Sequence, residues 1–283
     1  MKLLVLLVVL ALRRMEIAWP DWLMARDRIA RAQSMVVERV AGLSMPAFVQ
    51  WLLLVVVPAL LVALVLYWLH GFLWGLPGFI AGGLLLLWLL GGESELRQLD
   101  DLLVRGRMND PEKLGEASQR YFEASGEPNQ PGFFPGLLER IIHLDLRQLF
   151  AITFWLIALG YWAALLYALN LQRMRDAEGQ EREIARVLHT ALIWIPSRLL
   201  VLCMALGGNF RRVSDSITGR VWQLDSGEEL LREALAGALD VPDLEDPEGL
   251  QAGIDQLEAL QGLLMRCLAM WLILAAVWVV ISG

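Results

Sequence analysis

Two uncharged runs, residues 51–69 and 72–92, dominate the alternation of apolar and polar positions along the chain, at 19 and 21 residues. At about 1.5 Å per residue, each can cross a hydrocarbon core of about 30 Å as a helix. The first run extends back to residue 47, and Pro58 inside it predicts a kink rather than a break. His70-Gly71 between the runs predicts a tight turn and a helical hairpin. Two later runs, 149–169 and 263–281, read as a third and a fourth span. The expected fold is therefore all-α: one polytopic membrane domain over residues 1–283, with four transmembrane helices at about 47–69, 72–92, 149–169 and 263–281.

Two further apolar segments fit less simply. Residues 3–12 follow Lys2 as in a signal peptide, but no small-x-small cleavage site follows and Arg13-Arg14 comes next. Ten residues reach only about 15 Å, so the segment reads as a retained short or tilted membrane helix. Residues 187–210 are apolar enough to insert but hold His189, Pro196 and Arg198 near their middle. This segment is expected to be a spanning or re-entrant helix. Residues 13–44 are Arg-rich, with an apolar stripe at Trp22, Ala25, Ile29, Ala32, Val36 and Val40. That suits either a helix at the headgroup level or a solvated helix docked on the protein.

The polar regions 93–146 and 211–262 carry helix signals of their own. Residues 94–105 predict a helix stopped by Gly106, and Asp110-Pro111 predicts a cap and first position for a second. Three prolines and three glycines make 126–136 a loop, and the helical pattern resumes at Leu137. The connector 171–186 balances four Arg against four acids. Ser226, with Glu229 three residues on, predicts a capping box for a helix over 227–239, and Asp246-Pro247 starts the last helix.

Composition agrees with the membrane reading: 57% of residues are hydrophobic and 19% charged, against about 45–50% and 25% in soluble domains. This excludes an ordinary soluble enzyme, a disordered chain and a nucleic-acid binder. Net charge is −7, with 22 Arg against two Lys. If 3–12 and 187–210 both cross, 17 basic residues lie on the side that holds 13–44, 93–147 and 211–262, and five lie on the other. The positive-inside rule then turns both polar regions toward the cytoplasm of a bacterial inner membrane. Cys203 and Cys267 sit inside apolar runs and read as buried thiols, without metal-ligand spacing.

P-loop, H-E-x-x-H and G-x-S-x-G patterns are absent, and His70, His143 and His189 lack metal-ligand spacing. The pairs Gly82-Gly83, Gly91-Gly92 and Gly207-Gly208 suit helix packing and helix ends. Arg198 stands out, because a guanidinium in so apolar a segment costs several kcal/mol unless it pairs or reaches water. Pro196 leaves the carbonyl of Leu192 without its helical partner, freeing it for a bend, a water or a ligand. A second cluster precedes the third span. Arg140, His143 and Arg147 share a helix face, suited to a phosphate or sugar carboxylate or to lipid headgroups.

Trp194-Ile195-Pro196-Ser197-Arg198-Leu199 resembles the aromatic-hydrophobic-Pro-x-Arg-Leu motif of the membrane family that holds AmpE and CobD/CbiB. Phe150-Ala151-Ile152-Thr153-Phe154-Trp155 is similar to that family's Ala-Pro-Leu-Phe-aromatic run at the start of a span. Ala234-Leu235-Ala236-Gly237-Ala238-Leu239 looks like its Ala-x-Ala-Gly-Ala-Leu run. Length and Arg147 resemble the AmpE branch, which implies association with the amidase AmpD and with regulation of inducible β-lactamase. The cobalamin branch implies ATP-dependent amide synthesis on a corrinoid acid. Here His143-Leu144 replace that branch's Glu-Asn pair, Ile152 replaces a proline, and His189, Thr190 and Ile193 stand where acids are expected. Ser226-Gly227-Glu228-Glu229 replaces an Asn- and Pro-bearing loop.

With those acids missing, the resemblance favours a regulatory or sensory component over an amide ligase. The expected ligand is anionic, cell-wall-derived or phosphorylated, held by Arg147 and Arg198 with Arg140 and His143, while Trp194 and Pro196 shape the motif. No metal or cofactor is expected; Mg-ATP belongs only to the ligase alternative. The partners expected are the lipid bilayer and a membrane or cytoplasmic protein, and a purely structural role beside such a partner is the remaining alternative.

Overall fold

The computed structural model describes residues 2–15, 28–40, 45–70, 76–91, 94–223, 225, 227–241, 244 and 246–282. The described residues are 85% helical, with no strand among them. In chain order the helices are α1 (Lys2–Arg14), α2 (Arg28–Val40), α3 (Ala47–His70), α4 (Leu76–Leu90), α5 (Glu95–Arg107), α6 (Pro111–Phe122) and α7 (Phe133–Asp145). A π turn, Leu146–Phe150, leads into α8 (Ala151–Ala158), α9 (Tyr161–Asp176) and α10 (Gly179–Gly207). Then come α11 (Phe210–Ile217), α12 (Glu228–Leu239) and α13 (Leu250–Ser282). Trp22 and Ala25 of the apolar stripe, Gly71 of the predicted turn and Ser226 of the predicted capping box lie outside the described residues.

Among the described residues, five stretches are long and apolar enough to cross a membrane: Ala47–Leu69, Leu76–Arg107, Phe133–Ala158, Gly179–Gly207 and Leu250–Ile281. The protein is an all-α polytopic membrane protein. The stretches differ in what covers them. Only 17% of the first is buried by protein, and Leu60, Leu61, Leu64 and Val65 stand exposed. An apolar surface of that extent needs lipid around it. Phe133–Ala158, in contrast, is 61% buried against the protein itself.

Several boundaries differ from those the pattern predicts. Residues 149–169 do not form one helix, because the chain passes from the π turn through α8 and breaks at Gly160. Gly160 has φ 107° and ψ −173°, a conformation essentially reserved for glycine. Residues 187–210 are not a separate insertion; α10 runs from Gly179 through Pro196 to Gly207, and all but Ala177 and Glu178 of the connector is helical. Gly106 does not stop α5 but lies buried inside it, where a Cβ would come within 2.9 Å of Ile254 Cγ1. Helix α7 begins at Phe133 rather than Leu137, and α13 at Leu250 rather than at Pro247. The cap at Asp110 follows its signal, accepting from Lys113 N with Pro111 in the first turn, and Ser94, read as the first helical residue, is instead the cap of α5, accepting from Arg97 N. Lys113 beside Asp110 also holds that carboxyl below its ordinary pKa.

The chain packs as two compact units that interleave along the sequence, residues 1–93, 148–193 and 278–283 in the first and 94–147 and 194–277 in the second. Two prolines explain two interhelical hydrogen bonds whose donors and acceptors lie in the first unit. Pro58 inside α3 cannot donate to Leu54 O, and the buried Gln33 of α2 donates to it instead at 3.4 Å, and to Leu169 O at 3.2 Å. Of the apolar stripe in α2, Ala32 and Val36 are exposed, and Gln33 faces inward. Pro196 likewise frees Leu192 O, which accepts from Trp155 Nε1 at 3.1 Å. An unmet carbonyl in an apolar interior is costly, so each proline comes with a side-chain donor on another helix. Trp155→Phe keeps the ring and removes the donor. It is expected to lower stability by about 1–2 kcal/mol, read as a reduced midpoint of thermal unfolding in detergent.

Close packing completes this unit. Gly82 of α4 admits the phenol of Tyr161, whose Cζ lies 2.6 Å from where a Cβ would stand. The buried Arg13 at the end of α1 donates to Gly91 O at 2.9 Å and Leu90 O at 3.0 Å, capping α4. Asn170 of α9 accepts from Trp51 Nε1 at 3.0 Å and donates to Ala185 O at 2.9 Å.

The second unit is an amphipathic bundle around Leu99, Leu102, Leu137, Ile142, Leu200, Leu231, Leu257 and Leu260, all buried. Small residues set its close approaches: Gly253 faces the ring of Phe134, and Gly208 lies against the backbone of Ala238. Cys203 and Cys267 are buried free thiols in the same core.

Candidate functional site

Within the second unit, the residues singled out from the sequence meet one short segment, 221–228, between α11 and α12. Arg198 projects from α10 two residues after Pro196, and its side chain is only 10% exposed. Nε donates to Val221 O at 3.1 Å, and Nη2 donates to Gln223 O at 2.6 Å and Asp225 Oδ1 at 2.8 Å. Nη1 donates to Ser197 Oγ at 2.9 Å, and the guanidinium carbon lies 5.0 Å from the Trp194 ring centroid. The Trp194 indole donates to Gln223 O at 2.9 Å. A charge in an apolar helix is thus met by a carboxylate, two backbone carbonyls and a π face.

Gly227 makes this closure sterically feasible. Its φ of +71° suits glycine, and a Cβ there would stand 2.7 Å from Ser197 Oγ and 2.9 Å from Arg198 Nη1. Gly227 N donates to Asp225 Oδ1 at 3.0 Å, so one carboxylate oxygen receives both the guanidinium and a backbone amide.

The other end of the segment meets the second cluster. The Glu228 carboxylate pairs with Arg147, and half-buried His143 has Nε2 3.3 Å from Glu228 O. Arg147 lies in the π turn Leu146–Phe150. Such insertions recur at functional sites because they turn a side chain out of helical register. Arg140 does not join this group. It donates to Phe122 O at 3.1 Å and pairs with Glu123 at 2.6 Å, closing the C-terminal end of α6. Glu139, on the same helix, instead pairs with Arg232 at 2.6 Å.

Arg147, His143, Arg198 and Trp194 are therefore brought to one segment and Arg140 to another place, while Pro196 stays inside α10, two residues before Arg198. Asp225 and Glu228 are the partners that sequence reasoning missed. A usable signal existed: they are acids flanking a glycine in a strongly acidic stretch, opposite two isolated arginines. Arg220, just ahead of the segment, is held by Glu229 at 3.1 Å and Glu233 at 2.6 Å, which raises its pKa through the hydrogen bond and the two charges. Among the described residues, no group of three or more His, Cys, Asp or Glu is placed to hold a metal ion.

The fold and these contacts define an all-α polytopic membrane protein with a basic clasp on an acidic, glycine-centred segment. Compared with protein-family models, curated proteins and solved structures, the chain matches none.

Proposed function

We propose that the protein is a regulatory or sensory component of a bacterial inner membrane, of the kind the AmpE resemblance implies, linked to cell-wall recycling and β-lactamase induction. One observation carries this reading: Arg147, His143 and Arg198 converge on the 221–228 segment and are engaged by its own carboxylates and carbonyls. Cations held by carboxylates of their own chain suit a device that changes state when an anion competes for them. The preponderance of basic residues beside polar regions 93–146 and 211–262 turns this segment to the cytoplasm, where peptidoglycan fragments and their phosphorylated derivatives are recovered.

The test is genetic. In a bacterial host with inducible β-lactamase, deleting the gene is expected to change induction several-fold. Wild-type protein should restore it and Arg147→Ala, at equal membrane level, should not. Unchanged induction in the deletion strain would overturn the regulatory reading.

A further inference from the structure

The two arginines do different work. Arg198 spends its donors on Val221 O and Gln223 O as well as Asp225, and no soluble anion can replace backbone carbonyls of the same chain. It is a permanent anchor. Arg147 holds only a side chain, the Glu228 carboxylate, and that side chain is 47% exposed against 21% for Arg147. An exposed pair of this kind contributes about 0–1 kcal/mol, so another anion can compete for the guanidinium.

We propose that Arg147 and His143 form a phosphate-binding site whose resting occupant is the Glu228 carboxylate, and that a phosphate group opens the clasp by displacing it. The proposal rests on the regulatory reading and names its ligand chemistry. Three observations carry it. The Glu228 carboxylate takes the guanidinium, while the imidazole is left to the backbone oxygen of the same residue. A phosphate monoester, with three terminal oxygens, accepts from guanidinium and imidazole together. Arg147 follows His143 by four residues, a spacing that keeps the two side chains adjacent, and both reach Glu228.

Displacement is cheap for Glu228. It is the first residue of α12, where a carboxylate is favoured by the helix N-terminus whether or not Arg147 is beside it. Arg198, Asp225 and Gly227 keep the rest of the segment in place, so the change is confined to one end.

The phosphate can belong to a soluble molecule or to a lipid headgroup, and the experiment separates them. Full-length protein in phosphatidylcholine nanodiscs is titrated with inorganic phosphate and bound phosphate is measured by equilibrium dialysis, with and without phosphatidic acid in the disc. Saturable binding is expected in the wild type. Glu228→Gln, which removes the competing charge but keeps a polar side chain, should bind about 2- to 5-fold more tightly. Arg147→Gln should abolish binding in both backgrounds. Loss of inorganic phosphate binding when phosphatidic acid is present assigns the site to a headgroup; indifference to phosphatidic acid assigns it to a soluble phosphate. Binding that survives Arg147→Gln, or equal affinity in wild type and Glu228→Gln, would overturn the site. Phosphate binding without an effect on induction would remove the regulatory role and leave the site, and the reverse result would do the opposite.

Discussion

Arg198→Ala is expected to lower stability by about 3 kcal/mol and to release the 221–228 segment, because the change orphans several groups at once. Val221 O, Gln223 O and Asp225 all lose their guanidinium partner. Asp225 then keeps only the Gly227 amide beside its charge. Arg198→Lys retains one positive charge but not the planar fork that reaches both carbonyls and the carboxylate, and it gives up the stacking on Trp194. It should recover less than half of the loss. Two measurements check this: the denaturation midpoint in detergent, and the rate of tryptic cleavage after Arg220, next to the segment. Cleavage should rise in the order wild type, lysine, alanine. Equal cleavage in all three would mean that Arg198 only anchors the helix at a headgroup surface, where lysine serves as well.

How far the site was legible in the sequence follows from what each signal can report. Arg198 and Pro196 were conspicuous because both are costly in an apolar helix, and cost is visible residue by residue. What offsets it is not. Asp225 lies 27 positions from Arg198, and Glu228 lies 81 from Arg147, among many other acids. Hydropathy also cannot say why a run is apolar. Ala47–Leu69 is apolar with lipid around it and Phe133–Ala158 with protein around it, yet both are long and apolar enough to count as spans. That ambiguity moved the third expected span to 149–169, past the π turn and across the break at Gly160. The cap at Asp110 was legible because capping is local, satisfied within three residues. The interleaving of two compact units was not, since it joins segments that are more than 40 residues apart in sequence.

The turn between α9 and α10 should give the second large effect. Three rungs join these antiparallel helices: Tyr167 beside His189 at 5.8 Å between ring centroids, Asn170 to Ala185 O, and Arg173 to Glu181 at 2.8 Å. The last rung is an ion pair with both side chains only 9% exposed. Removing one member leaves the other charged and buried, at a cost of about 3–5 kcal/mol, whereas the net contribution of the intact pair is small because both ions were desolvated to make it. Arg173→Met alone and Glu181→Leu alone are therefore each expected to destabilise the protein strongly. The double variant, which replaces the pair by apolar side chains, should lie within about 1 kcal/mol of wild type or above it. Unfolding of all four proteins in one detergent closes the cycle. A double variant as unstable as either single would show instead that the pair contributes through contacts to other groups, and the hairpin would then depend on charge rather than on its burial. The expected recovery fits the connector's composition: four arginines and four acids in 16 residues hold one pair that is buried and others, such as Arg186–Glu183, that stay in solvent and contribute little.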